Sequence, residues 1–388
     1  MKRFVKIYTY WLLGILLFTG CDDYLKEDSG DLLIPGKVEE FLPMLYREGF
    51  PRNFNDEVAW LYLMTDDVEM GQLELDPEDE ANDTRDKNSS DAFNVGEGEE
   101  PYKWEREIKS YADNFWERRY GNILACNLVI DALPEMEYVE ADSGNYNFLA
   151  AQAYALRAYN YWCLVNSYAL PWSKENLDKP GVIIRMEPQI NISPRGRSSI
   201  REVYDLINED IEKAEKYIHR GGALSDEAEC NGNIHRLSEP AILLLASRIA
   251  LFQENWDEVI RTGKLFLAQN SVILNLNDQD TTLFGTEKGL SNKIFTMMDG
   301  TINKEVVFTF GTQSYSPYQY LSTTGALYGL GFRPSHSTDE SLIRSYEEGD
   351  LRKKAYFLED VPAKKAENWW EESRPYEYKY YYPIKYRQ

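Results

Sequence analysis

One residue of this chain stands where covalent chemistry is expected. Cys21 follows Phe18, Thr19 and Gly20 at the end of an apolar stretch that starts near Ile7, behind Lys2, Arg3 and Lys6, with no acid among the first twenty residues. A positive head, a short apolar run and small residues before a cut form the layout of a secretory signal. A cysteine directly after a small residue predicts cleavage before Cys21, with acylation (palmitate being one such chain) of its thiol and of the new amino group. At roughly 12 residues the apolar run is too short to span ~30 Å of hydrocarbon as a helix. The expected organisation is a signal peptide over 1–20 and a single domain over 21–388, tethered to a membrane surface rather than threaded through it.

The other groups able to do chemistry are less specific. Cys126 and Cys163 lie in apolar helical contexts and read as buried thiols, and with Cys230 they make an odd set without a CxxC pair, which argues against a disulfide framework or a cysteine zinc site. His219, His235 and His336 are isolated and give no catalytic metal spacing. Residues 66–83 carry nine acids and no base; such density could hold calcium, but the Gly and final Glu spacing of an EF-hand loop is missing, and a solvated loop is the expectation. With 65 acids in the chain, a pair of carboxylates at glycosidase spacing can always be found, so that pattern carries no information. No GxSxG, Cys–His set or phosphate loop is present. No cofactor is implied.

What remains is stacking chemistry. Aromatic residues make up 14% of the chain, with 28 tyrosines, and flat amphipathic rings suit binding surfaces as well as helix cores. The net charge is −23, and removing residues 1–20 takes away three positive charges and leaves −26. So acidic a body repels phosphate backbones, which excludes a nucleic-acid-binding role.

The elements that must position these rings read as helices. A polar, acidic tether follows Cys21, and a helix is expected over Val38–Tyr46 with Val38, Phe41, Leu42 and Leu45 on one stripe. Ile108, Tyr111, Phe115, Tyr120, Ile123, Asn127 and Ile130 predict a helix from Lys103 to Leu133, ended by Pro134. A long helix from about Tyr146 to Tyr168 has apolar residues on more than one side and belongs between neighbours. An extended piece at Pro180–Ile184 precedes a helix capped by Ser198 or Ser199 and running to Ile218, with Val203, Leu206, Ile207, Ile211 and Ala214 as its buried stripe. Ser238, Glu239 and Pro240 open a helix to Phe252, Asn255 breaks it, and Trp256–Gln269 forms its partner. Ala246, Ala250 and Ala268 stand at close-packing positions of this tetratricopeptide-like pairing, although strict 34-residue repeats are absent. Beyond 270, segments such as Glu305–Phe310 read as short strands among loops, and the alternation over Tyr376–Tyr382 reads as a strand. The fold class is mostly α: a tetratricopeptide-like helical-pair scaffold with long loops and a few short strands.

An ordered set of these pieces resembles the SusD-like (SusD/RagB) family of outer-membrane nutrient-binding lipoproteins. After Cys21 and its acidic tail, Phe41, Leu42, Pro43, Met44, Leu45 and Tyr46 resemble the family's first helix. Trp116, Tyr120, Ile123 and Asn127 resemble its W-x(3)-Y-x(2)-I-x(3)-N helix, and Ala153, Leu156, Arg157, Ala158 and Tyr161 its A-x(2)-LRA-x(2)-Y helix, with Ala169 where a Gly is usual before Pro171. Arg197, Ser199, Ile200, Val203, Tyr204, Ile207, Asp210 and Ala214 match a third segment, and Tyr346, Asp350 and Arg352 a fourth. Family members continue past the point where this sequence stops, into another helix pair, so a C-terminally truncated domain with exposed scaffold is an expectation.

The resemblance implies an outer-membrane, cell-surface binding protein that acts as lid and partner of a SusC-like TonB-dependent transporter and takes an oligosaccharide or peptide ligand. A tetratricopeptide scaffold gripping another protein and, less well supported, a surface glycan hydrolase are the alternatives. No ligand-contact motif of the family matches residue by residue. Loops in the regions where the family holds ligand offer Trp60, Trp104, Tyr315, Tyr318 and Tyr320, with Trp369 and Trp370 as further candidates, whereas Trp116, Tyr154, Tyr159, Trp162 and Trp256 on helices are expected in the core.

Overall fold

The computed structural model describes residues 36–51, 63–71, 100–107, 115–136, 138, 143–190, 193–221, 234–278, 305–309, 331–335, 338–360 and 380–383. The elements in chain order are α1 (Val38–Glu48), β1 (Val68–Gly71), α2 (Phe115–Ala132), α3 (Ser143–Tyr168), α4 (Ile200–His219), α5 (Glu239–Phe252), α6 (Trp256–Gln269), β2 (Gly331–Pro334), α7 (Leu342–Ser345), α8 (Leu351–Tyr356), β3 (Phe357–Asp360) and β4 (Tyr380–Pro383). Among the described residues no helix is long and apolar enough to cross a membrane.

Helix boundaries follow local chemistry. The Ser199 hydroxyl accepts from the Glu202 amide while the Glu202 carboxylate accepts from the Ser199 amide, a capping box that starts α4. Pro240 sits in the first turn of α5, where its missing N–H is not needed. Asn255 caps α6 by accepting from the Glu258 amide. The α4 stripe of Val203, Ile207, Ile211 and Ala214 is buried as its spacing predicts, and Leu206 flanks it half-buried.

Helix α3 is central. It packs on α2 along one side and on α4 along another, and α1 covers both α2 and α3. That sandwich explains its lack of a single apolar face: Leu149, Ala150, Ala151, Ala153, Ala155, Leu156, Ala158, Tyr161 and Leu164 are all within 1% of full burial. Two apolar clusters result. One gathers α1, the C-terminal half of α2 and the first half of α3; the other gathers the second half of α3 with Val182 and the start of α4. Burial of this kind contributes roughly 25 cal/mol per Å² of apolar surface removed from water.

Several expectations are corrected. In the acidic stretch Asp66 and Asp67 are exposed in a turn, but Val68–Gly71 is β1, paired antiparallel with β2 so that Val68 faces Pro334, and Glu69 is buried; residues 72–83 lie outside the described residues. The helix expected from Lys103 is described from Phe115; residues 100–104 form a separate turn with Trp104 in a left-handed conformation. Residues 306–309 belong to no strand or helix; the Thr309 amide donates to Ile234 O at 2.7 Å. Ala246 and Ala250 are buried, but Ala268 is exposed, and Trp256 is 58% exposed instead of lying in the core. The reason is common to both: α6 packs against α5, and Thr262 is its one buried residue. The alternating tyrosines contribute β4, which pairs with β3, Leu358 facing Tyr382.

Candidate functional site

Three helices contribute polar side chains to one buried network. Arg157 on α3 donates from Nε and Nη2 to the two oxygens of Asp210 on α4, each at 2.7 Å, and from Nη1 to Asn127 Oδ1 on α2 at 2.9 Å. Both members of the ion pair are sealed, at 2% and 0% exposure. Burial is the largest influence on each: it pushes the Asp210 carboxyl above the usual carboxylate range and opposes the charge of Arg157, whose guanidinium Asp210 nonetheless holds protonated. With both carboxylate oxygens accepting, the pair is ionised and bidentate.

The network continues into an extended segment. Asn127 Nδ2 donates to the carbonyls of Arg185 and Glu187, at 3.0 and 3.2 Å. The Tyr161 hydroxyl donates to Arg185 O and accepts from its amide, both at 2.7 Å, and the Tyr120 hydroxyl donates to Ile183 O at 2.6 Å. At the segment's start, Gly181 passes so close to the start of α4 that a Cβ would sit 3.1 Å from Ser198 O and Ser199 O, a tight contact that a larger residue could make only if this backbone gave way by a few tenths of an ångström. Helix side chains thus fix the backbone of 183–187 as a β-neighbour would. The following segment, 193–199, is tied by Arg195, which pairs with Glu187, and by Arg197, which donates to Tyr168 O and Gly181 O and lies over the Trp116 ring.

Burial also sets an alkaline limit. It pushes the Cys126 thiol from 9.0 up to about 12, and the Tyr120 and Tyr204 phenols from 10.0 up to about 12. In the unfolded chain these groups release protons at their ordinary values, so between pH 9 and 12 the folded state holds more protons than the unfolded one. Stability is therefore fully present below pH 9 and falls as pH rises toward 12. The urea midpoint should drop steadily from pH 9 to 11; a flat midpoint over that range would contradict the burial of these groups.

Of the candidate ligand residues, only Trp104 lies among the described residues; Trp60, Tyr315, Tyr318, Tyr320, Trp369 and Trp370 lie outside them, as does Cys21. Trp104 is 66% exposed and has φ 54°. Its amide donates to Pro101 O and the Glu105 amide to Glu100 O, both at 3.0 Å, so Trp104 occupies the left-handed position that closes a helical turn. Glycine is the usual occupant of that position, because a Cβ there costs about 1–2 kcal/mol. Glu254, with φ 55°, closes α5 in the same way at the junction to α6. Trp104 is different in that the strained residue is a large ring turned to solvent, which marks a place to look for function. Trp116, Tyr159 and Trp162 are half-buried and Tyr154 is buried, in keeping with core roles.

The buried network was not deduced from the sequence, although signals existed. Asp210 falls seven residues after Val203 on the apolar stripe of α4, and an acid on that face needs a buried cation. Arg157 stands among alanines on α3 and is that cation.

Comparison with known proteins agrees with this geometry. A family model named SusD-like, described as starch-binding associating with outer membrane, matches residues 50–251, slightly more than half of the chain. A stretch of 104 residues, 26% of this chain, is 33% identical to 17% of SusD-like protein P38 of Formosa agariphila. A SusD superfamily protein of Bacteroides vulgatus superposes with a TM-score of 0.59 at 16% identity, covering 90% of this chain and 68% of that one. A SusD-like carbohydrate binding protein of the same species gives 0.56 at 19% identity, over 84% of this chain and 62% of its own. The chain thus spans about two thirds of these solved neighbours and a small part of P38.

Proposed function

The chain belongs to the SusD-like family, and from that membership we propose that it is a cell-surface glycan-binding lipoprotein that serves as lid and partner of a SusC-like TonB-dependent transporter. The observation that carries the binding half is Trp104, a ring displayed to solvent on a turn whose backbone would be easier to build with glycine. Sugar rings have apolar faces that stack on indole, and a preformed platform reduces the ordering cost of binding. The net charge of −23 disfavours uronate- or sulfate-rich polymers, so a neutral glycan is the better ligand. The protein binds and delivers; it does not cleave. Acylated at Cys21, it stays at the outer membrane while its body swings over the barrel, closing on ligand and opening to admit the next.

Calorimetric titration of residues 22–388 with malto-, xylo- and β-gluco-oligosaccharides tests the binding half, and saturable heat with at least one of them is expected. Heat with none of them, together with hydrolysis of any one, would replace the binding reading with the hydrolase. The anchor is tested separately. Cys21→Ala should abolish incorporation of labelled palmitate and release the chain from the outer membrane, with glycan affinity kept within about twofold, since the acyl chain supplies membrane affinity and no glycan contact. Continued labelling of the variant would contradict this.

A further inference from the structure

Helix α6 carries an apolar stripe on a side that α5 leaves bare. Thr262 is buried and Val259 and Phe266 are half-buried, so these three mark the side that meets α5. Trp256, Ile260, Gly263 and Leu267 recur at spacings of four, three and four, which sets them on one other face of the helix. Trp256, Ile260 and Leu267 are each more than half exposed, and a Cβ built on Gly263 would meet nothing within 4 Å. Such spacing is that of a seam shared by two helices, here with a glycine in its middle where backbones can approach closely. An outermost helix pair that faced only water would show a polar side instead. Two charges border the seam. Asp257 and Lys264, seven residues apart, lie on the flank away from α5; both are exposed, and neither has an ion-pair partner among the described residues.

We infer that the stripe is a self-association surface, on which α6 of a second copy of this chain lies antiparallel. About a two-fold axis beside residues 261 and 262, Trp256 of one copy stands opposite Leu267 of the other, and Ile260 opposite Gly263. The flank of Asp257 and Lys264 then faces itself in reverse, which brings each Asp257 to within about two residues, or ~3 Å along the axis, of Lys264 on the other copy. One contact thus makes two ion pairs, as a self-complementary two-fold interface does. The apolar row supplies burial, and the paired charges fix register. Repulsion between two acidic bodies is screened beyond about 8 Å at physiological salt, whereas the Asp257–Lys264 pairs act at contact. The inference is independent of the glycan and transporter readings.

The test uses two copies of the full chain with different C-terminal tags, expressed together, extracted in mild detergent and captured through one tag. The second copy should be captured with the first. Asp257→Lys in both copies, or Lys264→Glu in both, should lower co-capture at least about tenfold, because each sets like charges against one another twice. One copy with Asp257→Lys and the other with Lys264→Glu should restore it to within about twofold, since every such contact then joins opposite charges. Gly263→Gln fills the seam with a better helix former, so it should lower co-capture while the melting temperature is unchanged or raised. The inference is overturned by a wild type that captures no second copy, by a loss that the mixed pair does not restore, or by co-capture that no variant lowers, which is what a bridging third protein would give. Maleimide labelling of Ile260→Cys, read by mass spectrometry, adds one more outcome: a blocked thiol in a chain that captures no second copy would mean that another segment of the same chain covers the stripe, and the inference fails.

Discussion

Arg157→Met is expected to lose about 3–5 kcal/mol of stability, the cost of leaving the Asp210 carboxylate buried without its cation. The carboxylate is fully sealed, so water cannot replace the guanidinium without opening the packing of α3 on α4. The same change strips Asn127 Oδ1 of its donor and loosens the hold of that side chain on the Arg185 and Glu187 carbonyls. Urea unfolding at pH 7 measures the loss. The double variant Arg157→Met, Asp210→Leu should recover much of it, because a buried ion pair replaced by apolar groups is often neutral while a broken one is not. A single variant within about 0.5 kcal/mol of wild type, the usual range for surface substitutions, would show that the pair is not the buried linchpin described here.

Trp104→Gly should weaken glycan binding at least about tenfold, or roughly 1.4 kcal/mol, while leaving the melting temperature unchanged or slightly higher. The two effects have separate causes. Loss of the indole removes the stacking surface, and glycine relieves the left-handed strain at φ 54°. Trp104→Ala, which keeps the strain, should show the same loss of affinity without the gain in stability. Calorimetry and thermal unfolding on the same preparations separate the outcomes. Unchanged affinity in both variants would remove Trp104 from the binding surface, and a lowered melting temperature for the glycine variant would show that the ring supports the fold.

The scaffold was largely legible because its signals are local. The Ser199–Glu202 box, Pro240 in a first turn, Asn255 as a cap and the spacing of Val203, Ile207, Ile211 and Ala214 each act within one or two helical turns, and each appears where the sequence places it. Helical pairing and family membership followed from such pieces taken in order. The errors lie where distant segments decide. Val68–Gly71 sits in an acid-rich stretch and is made a strand by residues more than 250 positions away. Trp256 and Ala268 are residue types that suit a helix core, but type alone does not say which side of α6 meets α5, and both lie away from that side.

The sequence by itself therefore determined where helices start and stop, which faces are apolar, where a lipid anchor is expected and which family the chain resembles. These are set by capping chemistry, by periodicity and by residue order along the chain. The tertiary structure decided that Asn127, Arg157 and Asp210 meet and that helix side chains hold the 183–187 backbone. Those facts depend on how α2, α3 and α4 are placed against one another. A buried charge declares that a partner is needed, but only the packing of the helices selects it.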